Sequence, residues 1–178
     1  MTRLTTISPE AATGAAAEVF AKIKKAVGKV PNAYATIGTH SPEALSAALG
    51  FDAAVAAGTL SKPDIEVIKL VVSEHAGCDY CLAAHTLMGK MAGLSPAQMK
   101  QVRSGAATGD AKRDALVTYV GTLVGTRGTV PAEAVDAIRA AGYTERQVIE
   151  INLAIASITF TNLVNRVNDT TLDFPAVD

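Results

Sequence analysis

Residues 61–91, SKPDIEVIKLVVSEHAGCDYCLAAHTLMGKM, have the pattern of two helices joined at one glycine. Ser61 is a good N-cap residue, and a proline in the following turn suits a helix start. Gly77 should end the first helix, because glycine readily adopts the left-handed conformation that follows a last turn. The stretch therefore predicts one helix from Ser61 to Ala76 and another from about Cys78 to Met91.

The same start and stop signals recur along the rest of the chain. Serine followed by proline marks further helix starts at Ser8, Ser41 and Ser95. Glycines that fit helix ends are Gly28, Gly58, Gly93, Gly105 and Gly142. Apolar spacing predicts three more helices, at about residues 111–124, 131–141 and 144–167.

Composition favours a helical protein. The chain has 178 residues, which suits one domain and is too short for two of ordinary size. Hydrophobic residues make up 49% of it and aromatic residues only 4%, so small helix-forming alanine supplies much of the apolar mass. No segment alternates between apolar and polar residues as a strand does. We predict an all-α fold with one domain over residues 1–178.

Charge and hydropathy argue against two classes of partner. Sixteen basic residues balance 17 acidic ones for a net charge of -1, so we expect no nucleic-acid binding. Polar side chains interrupt the most apolar stretch, residues 148–164, so we expect no membrane span. The N-terminal sequence MTRLTTISPE lacks an apolar leader segment, which indicates a cytoplasmic protein.

The two cysteines carry the clearest chemical signal. Cys78 and Cys81 fall in the first turn of the second helix, where free backbone N–H groups stabilise a thiolate. His85 lies four residues after Cys81 on the same helical face and could serve as its base. A second thiol three residues away can condense with a sulfenic acid to form a disulfide. This equipment is typical of a thiol peroxidase or a disulfide reductase.

Glu66 belongs to the same constellation if the two helices fold back on each other at Gly77. Glu66 then lies roughly 15 Å from the corner along the first helix, and His85 roughly 12 Å along the second. The carboxylate would be nearly level with the imidazole and farther from the sulfurs. We therefore expect Glu66 to orient or charge His85, directly or through water, while His85 takes the thiol proton of Cys81.

Two other interpretations of the cysteines are possible. Buried free cysteines are often small hydrophobic residues with no chemical role. A zinc site could use Cys78, Cys81, His85 and His75. However, Cys78 and His85 are roughly 10 Å apart along one helix, whereas structural zinc usually takes ligand pairs from separate elements. We therefore expect no metal at this site.

Further polar residues have weaker signals. Tyr80 points away from the cysteine face and could either pack or offer its hydroxyl to the site. His40 most simply occupies a turn at a helix start, with an open possibility that it reaches the site. Glu74 and His75 fit a solvated helix end. The tail at residues 172–175 is expected to be an extended arm that packs on the protein, or else a frayed terminus.

Glu66, Cys78, Cys81 and His85 form the pattern Glu-x11-Cys-x-x-Cys-x-x-x-His. This pattern resembles the alkylhydroperoxidase D-like (AhpD-like) proteins of the carboxymuconolactone decarboxylase superfamily. The sequence CDYCLAAHT at residues 78–86 is similar to the branch described as peroxidase-related. Weaker similarity extends to residues 30–32, 39–43 and 162–175.

The resemblance implies an all-α fold, assembly into homotrimers or homohexamers, and peroxide reduction by paired cysteines. It implies that Cys81 attacks the peroxide, that Cys78 resolves the product, and that Glu66 and His85 relay protons. The chain differs at Tyr80, where the best-characterised members carry a histidine. Carboxymuconolactone decarboxylases proper lack the cysteine pair, so the motif does not imply lactone decarboxylation.

Motif and resemblance together predict a thiol-dependent peroxidase. Its substrate would be hydrogen peroxide or an organic hydroperoxide, and an external dithiol or thiol protein would reduce the enzyme. We expect no cofactor, because the sulfur atoms themselves carry the electrons. The alternatives are a disulfide reductase or adaptor that serves a peroxiredoxin, and a non-enzymatic oligomeric redox sensor.

Overall fold

The computed structural model describes residues 2–177, which contain nine α-helices, one short 3₁₀ helix at Pro9–Ala11 and no β-strand. The α-helices are α1 Gly14–Val27, α2 Asn32–His40, α3 Pro42–Ala56, α4 Lys62–Ala76, α5 Asp79–Met91, α6 Pro96–Ser104, α7 Ala111–Gly125, α8 Ala132–Ala140 and α9 Glu145–Asn168. The all-α prediction is confirmed over this part of the chain.

The predicted serine starts are all used. The hydroxyl oxygens of Ser41, Ser61 and Ser95 accept hydrogen bonds from backbone N–H groups in the first turns of α3, α4 and α6. Ser8 caps the 3₁₀ helix in the same way. Each cap satisfies a backbone donor that has no partner inside its helix, and so fixes the residue at which the helix begins.

Two features near the N-terminus differ from the prediction. The helix expected after Ser8 is a 3₁₀ turn followed by α1, which starts only at Gly14. Helix α2 was not predicted, because its sequence NAYATIGTH has few strong helix formers and no side-chain cap. Packing holds α2 in place instead: a Cβ at Gly38 would lie 2.4 Å from the ring of Phe20.

Helix α4 is the central element of the core. It packs against α5, α6, α7 and α9, and its residues Val67, Ile68 and Leu70 have no exposed surface. A helix in such a position can place a polar side chain in the interior at a fixed point. Glu66, which is also buried, is held in this way.

Helix α9 has an unusual distribution of residues. Its buried side includes four polar residues, Ser157, Asn162, Asn165 and Asn168, while large apolar side chains are exposed on its outer side. By length and composition alone α9 could cross a membrane, a test that the core helices of soluble proteins also pass. Of the polar residues that argued against a membrane span from the sequence, the fold buries Ser157 and Asn162.

The C-terminal segment packs on the protein as an extended arm, as expected. The carboxylate of Asp173 accepts hydrogen bonds from the backbone N–H of Asn32, at 3.3 Å, and from the side chain of Lys29, at 3.0 Å. The ring of Phe174 lies edge-on against Tyr80, with 5.5 Å between ring centroids. The arm therefore covers the start of α2 and one side of α5.

Candidate active site

The corner between α4 and α5 has the geometry that the sequence predicts. Gly77 adopts the left-handed conformation, with φ of 60°, and the backbone N–H of Cys78 donates to the carbonyl of Ser73. Helix α5 then begins at Asp79, with Cys78 as its N-cap residue. The corner thus sets Cys78 one position before the helix and Cys81 within its first turn.

The two thiols form a close pair. Their Sγ atoms are 2.8 Å apart, and both cysteines are free. Only 2% of Cys78 and 3% of Cys81 is exposed. Two buried thiols at this distance share a proton through a hydrogen bond, so the ionisation of one depends on the other.

The electrostatics place the first negative charge on Cys78. The hydrogen bond from Cys81 lowers the pKa of the Cys78 thiol, and the N–H of Cys81 and the nearby charge of Arg166 act in the same direction. The pKa of Cys81 is raised, because its proton is held by Cys78 and its thiol is buried. The charge of the resting pair is therefore favoured at the N-cap, while the role of Cys81 as the thiol that His85 deprotonates stays a prediction.

A titration of the thiols should show this order. Replacing Cys81 with alanine removes the hydrogen bond that stabilises the Cys78 thiolate, so the pKa of Cys78 should rise towards that of an ordinary cysteine. Below this pKa the thiol stays protonated and unreactive. Ultraviolet absorbance of the thiolate, followed against pH, measures the change. An identical first transition in the parent and in Cys81→Ala would contradict the assignment.

Helix α9 supplies a contact to the second sulfur. The side-chain Nδ2 of Asn165 donates to Sγ of Cys81 at 3.3 Å. This hydrogen bond, together with one from the Thr161 hydroxyl, acts to lower the pKa of Cys81, though burial and Cys78 outweigh both. Helix α9 therefore acts on both sulfurs, through the amide of Asn165 at Cys81 and through the charge of Arg166 at Cys78.

Glu66 and His85 meet as the fold-back of the two helices predicts. Nδ1 of His85 lies 2.8 Å from Oε2 of Glu66, and both side chains are largely buried. In residues 2–177 no direct hydrogen bond joins His85 to either sulfur. The structure thus brings together Glu66 with His85 and Cys78 with Cys81, as two neighbouring pairs on one helical hairpin.

A third polar cluster joins α2, α3, α4 and α9. Oδ1 of Asp52 accepts from Nζ of Lys69 at 2.9 Å and from Oγ of Ser157 at 2.8 Å. Burial opposes ionisation of Asp52, but Lys69 and Ser157 outweigh it and hold its pKa below the usual range. Tyr34 donates to the other oxygen at 3.4 Å, and burial raises the pKa of its phenol.

Tyr80 packs away from the sulfurs. Its hydroxyl donates to Asp173 at 2.7 Å and accepts from the backbone N–H of Ala33 at 3.2 Å. Burial raises the pKa of this phenol well above its ordinary value. Because both neighbours of the hydroxyl belong to the tail and to α2, Tyr80 has the packing role among the two that the sequence left open.

Replacing Tyr80 with phenylalanine should therefore destabilise the protein and spare its chemistry. The change keeps the ring but leaves a buried N–H at Ala33 without its partner, which costs about 1–3 kcal/mol in the free energy of unfolding. Denaturant unfolding measures this loss. Reactivity of the cysteines should stay within a few-fold of the parent. A loss of reactivity without a loss of stability would give Tyr80 a catalytic role.

The remaining histidines lie outside these clusters. His40 is exposed at the end of α2, where its Nε2 lies 2.7 Å from the carbonyl oxygen of Thr5. His75 is exposed and its Nδ1 lies 3.0 Å from the carbonyl oxygen of Val71. Over residues 2–177, no three His, Cys, Asp or Glu side chains converge as metal ligands would. The four residues considered for zinc are thus not assembled into one set.

Sequence reasoning missed the contribution of α9. Ser157, Thr161, Asn165 and Asn168 recur at spacings of four, four and three, so they form a polar stripe on a helix that is otherwise apolar. Such a stripe indicates a helix side that faces polar groups in the interior. From the sequence alone, Ser157 and Thr161 are only interruptions of an apolar stretch, and Asn165 and Asn168 have no assigned role.

Comparisons with known proteins agree with this geometry. Residues 42–117, which contain all four motif residues, match the model of the carboxymuconolactone decarboxylase family. A search of curated protein sequences gives no significant match. Several solved structures share the fold over nearly the whole chain.

One is an alkylhydroperoxidase AhpD core, a peroxidase-related protein from Ralstonia eutropha, with TM-score 0.85 and 20% identity over 97% of this chain and 92% of that one. A peroxidase-related protein from Silicibacter sp. matches with TM-score 0.80 and 20% identity, over 96% of this chain and 94% of that one. The debrominase Bmp8, in complex with 2,3,4-tribromopyrrole, matches with TM-score 0.80 and 19% identity, over 97% of this chain and 92% of that one. Residues 42–117 thus match the carboxymuconolactone decarboxylase family, and the chain as a whole has the fold of these AhpD-like structures.

Proposed function

We propose that the protein is a thiol-dependent peroxidase that reduces hydrogen peroxide or organic hydroperoxides. The observation that carries the proposal is the buried Cys78–Cys81 pair, whose sulfurs are 2.8 Å apart at a helix start. Such a pair can release two electrons and close a disulfide without help from a second molecule. The peroxidase-related function suggested by the family supports the same conclusion.

The proposed cycle begins at Cys81. Its proton moves to the Cys78 thiolate or to His85, which is paired with Glu66. The Cys81 thiolate then attacks the O–O bond of the hydroperoxide. An S–O bond forms, the O–O bond breaks, and the alkoxide takes a proton and leaves as alcohol. Cys78, whose proton passes to the leaving alkoxide through His85, then attacks the sulfenic acid as a thiolate, and the S–O bond breaks to release hydroxide, which becomes water. An external dithiol or thiol protein reduces the disulfide and completes the cycle.

We assign the proton relay to Glu66 and His85. Because Nδ1 of His85 contacts Glu66, Nε2 is the ring nitrogen left to exchange a proton with the thiols, directly or through water. Glu66 would fix the orientation and the tautomer of the ring. This arrangement delivers protons to the leaving alkoxide and hydroxide, the two species that need them.

Steady-state turnover tests the proposal. The purified protein, with cumene hydroperoxide and a dithiol, should consume peroxide much faster than the dithiol alone does. One equivalent of peroxide without reductant should convert the cysteines to a disulfide, seen by mass spectrometry as the loss of two hydrogen atoms. Peroxide consumption no faster than with the dithiol alone would contradict the proposal.

The same preparation separates the alternatives. Reduction of a peroxiredoxin disulfide without direct peroxide turnover would favour the reductase or adaptor. A single oxidation without turnover, coupled to a change in assembly, would favour the redox sensor. Because a structural neighbour is a debrominase, 2,3,4-tribromopyrrole belongs in the same substrate panel. Debromination faster than peroxide reduction would reassign the dithiol electrons to carbon–halogen cleavage.

We also propose that the protein assembles as a homotrimer or homohexamer. Phe51 on α3 and Ile149, Leu163 and Val167 on α9 are large apolar residues that lie exposed, and the two helices pack side by side. Apolar surface of this kind marks interaction sites in soluble proteins. Light scattering after size exclusion would give the mass directly. A monomer across the accessible concentration range would contradict the proposal.

A further inference from the structure

The polar stripe of α9 brings an amide to the proposed reacting sulfur. Asn165 is 4% exposed, and its Nδ2 donates to Sγ of Cys81 at 3.3 Å. A hydrogen bond from a neutral amide to sulfur is weak while the sulfur is a thiol. It becomes charge-assisted, and therefore stronger, when the sulfur is a thiolate.

The other end of the same amide has no partner. Oδ1 of Asn165 is buried and accepts no hydrogen bond in residues 2–177. Buried acceptors are nearly always paired, because an unpaired one has lost its water without replacement. The position therefore holds an acceptor, beside the sulfur, for which the described residues supply no donor.

A hydroperoxide supplies that missing donor. Its terminal oxygen is the atom that a thiolate attacks, and that oxygen carries an O–H group. With the O–H directed to Oδ1 of Asn165, the terminal oxygen would lie close to Sγ of Cys81. The alcohol and disulfide products lack this combination of O–H and electrophilic oxygen, so the contact favours the reactant complex and the transition state.

We infer that Asn165 is a catalytic residue of the proposed peroxidase, which stabilises the Cys81 thiolate through Nδ2 and accepts the hydroperoxide O–H through Oδ1. The inference rests on the proposed function for its substrate, whereas the contact with the sulfur stands without it. It also explains how Cys81 can attack although Cys78 is the thiol favoured to ionise first. Asn165 stabilises the anion during the moment at which the shared proton lies on Cys78.

Three substitutions separate the donor role of Nδ2 towards the thiolate from the acceptor role of Oδ1 towards the hydroperoxide. Asn165→Leu has a similar size and removes both donor and acceptor. Asn165→Asp has the same shape, keeps an acceptor, loses the donor and adds a negative charge. Asn162→Leu is the matched control, because Asn162 is a buried amide one turn earlier on α9 that contacts Ser73 rather than a sulfur.

The first measurement is an ultraviolet titration of the single thiol in a Cys78→Ser background. Asn165→Leu should raise the pKa of Cys81 by about one unit, since a hydrogen bond to a charged group is worth that much. Asn165→Asp should raise it further, and Asn162→Leu should leave it unchanged. An unchanged pKa in both Asn165 variants, or an equal shift in the control, would overturn the thiolate contact.

The second measurement is steady-state kinetics with both cysteines present. Asn165→Leu should lower kcat about tenfold and also raise KM for cumene hydroperoxide, whereas Asn165→Asp should lower kcat with a smaller change in KM. Equal KM values in the two variants would overturn the acceptor role. If Asn165→Leu does not fold, Asn165→Asp and the parent decide the thiolate contact. If the parent shows no peroxide turnover but the Asn165 variants still shift the pKa of Cys81, the proposed function is overturned and the sulfur contact stays intact.

Discussion

Replacing Cys81 with serine is expected to lower hydroperoxide turnover by about a thousandfold or more, because a serine hydroxyl cannot replace a thiolate as nucleophile towards an O–O bond. The side chain is nearly isosteric and lies within the first turn of α5, so the fold should persist. The residual rate should equal that of the free dithiol. Stopped-flow consumption of cumene hydroperoxide, with circular dichroism as a check on folding, measures the effect.

The companion change at Cys78 should give a different phenotype. Serine is itself a good N-cap residue, so Cys78→Ser should keep the start of α5. Turnover should fall by a similar factor, yet one equivalent of peroxide should still oxidise Cys81, and a dimedone adduct should trap the sulfenic acid. If the adduct forms on Cys78 in the Cys81→Ser protein and no adduct forms in the Cys78→Ser protein, the roles of attacking and resolving thiol are exchanged.

Loss of the histidine relay should have the second largest effect. His85→Gln removes the ring that exchanges protons, and Glu66→Gln removes the charge that orients it. General acid–base groups contribute about a hundredfold to ten-thousandfold, so we expect kcat to fall within that range in each variant. The double variant should be no slower than the slower single one, because the two residues act as one unit.

His75→Gln is the control for the relay. His75 lies at the end of α4 on the same helical hairpin, and its Nδ1 lies 3.0 Å from the backbone carbonyl of Val71 in its own helix. Its replacement should leave kcat unchanged. A pH profile of kcat/KM that is identical in the parent and in His85→Gln would remove His85 from the reaction, whatever the rate.

The sequence was sufficient for the helical hairpin that builds the site. The helix start at Ser61, the helix end at Gly77 and the placement of the Cys-x-x-Cys pair each depend on interactions among residues close in sequence. Such interactions can be recognised without knowledge of the tertiary structure. Helical rise and a fold-back at Gly77 predict that Glu66 and His85 lie level with each other, and the structure shows that they meet directly, at 2.8 Å. These are short-range consequences of chain geometry.

Other features needed the three-dimensional structure. Helix α2 depends on Phe20 and on the close approach that Gly38 permits, which no local pattern encodes. The order in which the thiols ionise depends on a shared proton and on burial. The contact of Asn165 with Cys81 joins residues 84 positions apart, so it is fixed only when α9 packs beside α5. The single-domain and cytoplasmic expectations stay predictions.

Helix α9 faces two environments at once, and this has a consequence for regulation. Asn165 points inward to the sulfur, while Leu163 and Val167, two residues to either side, point outward. A subunit that binds the outer face would press on the same turn of backbone that sets the distance from amide to sulfur. Association and thiol acidity would then be thermodynamically linked, so that dilution of the protein would itself change how readily its dithiol ionises.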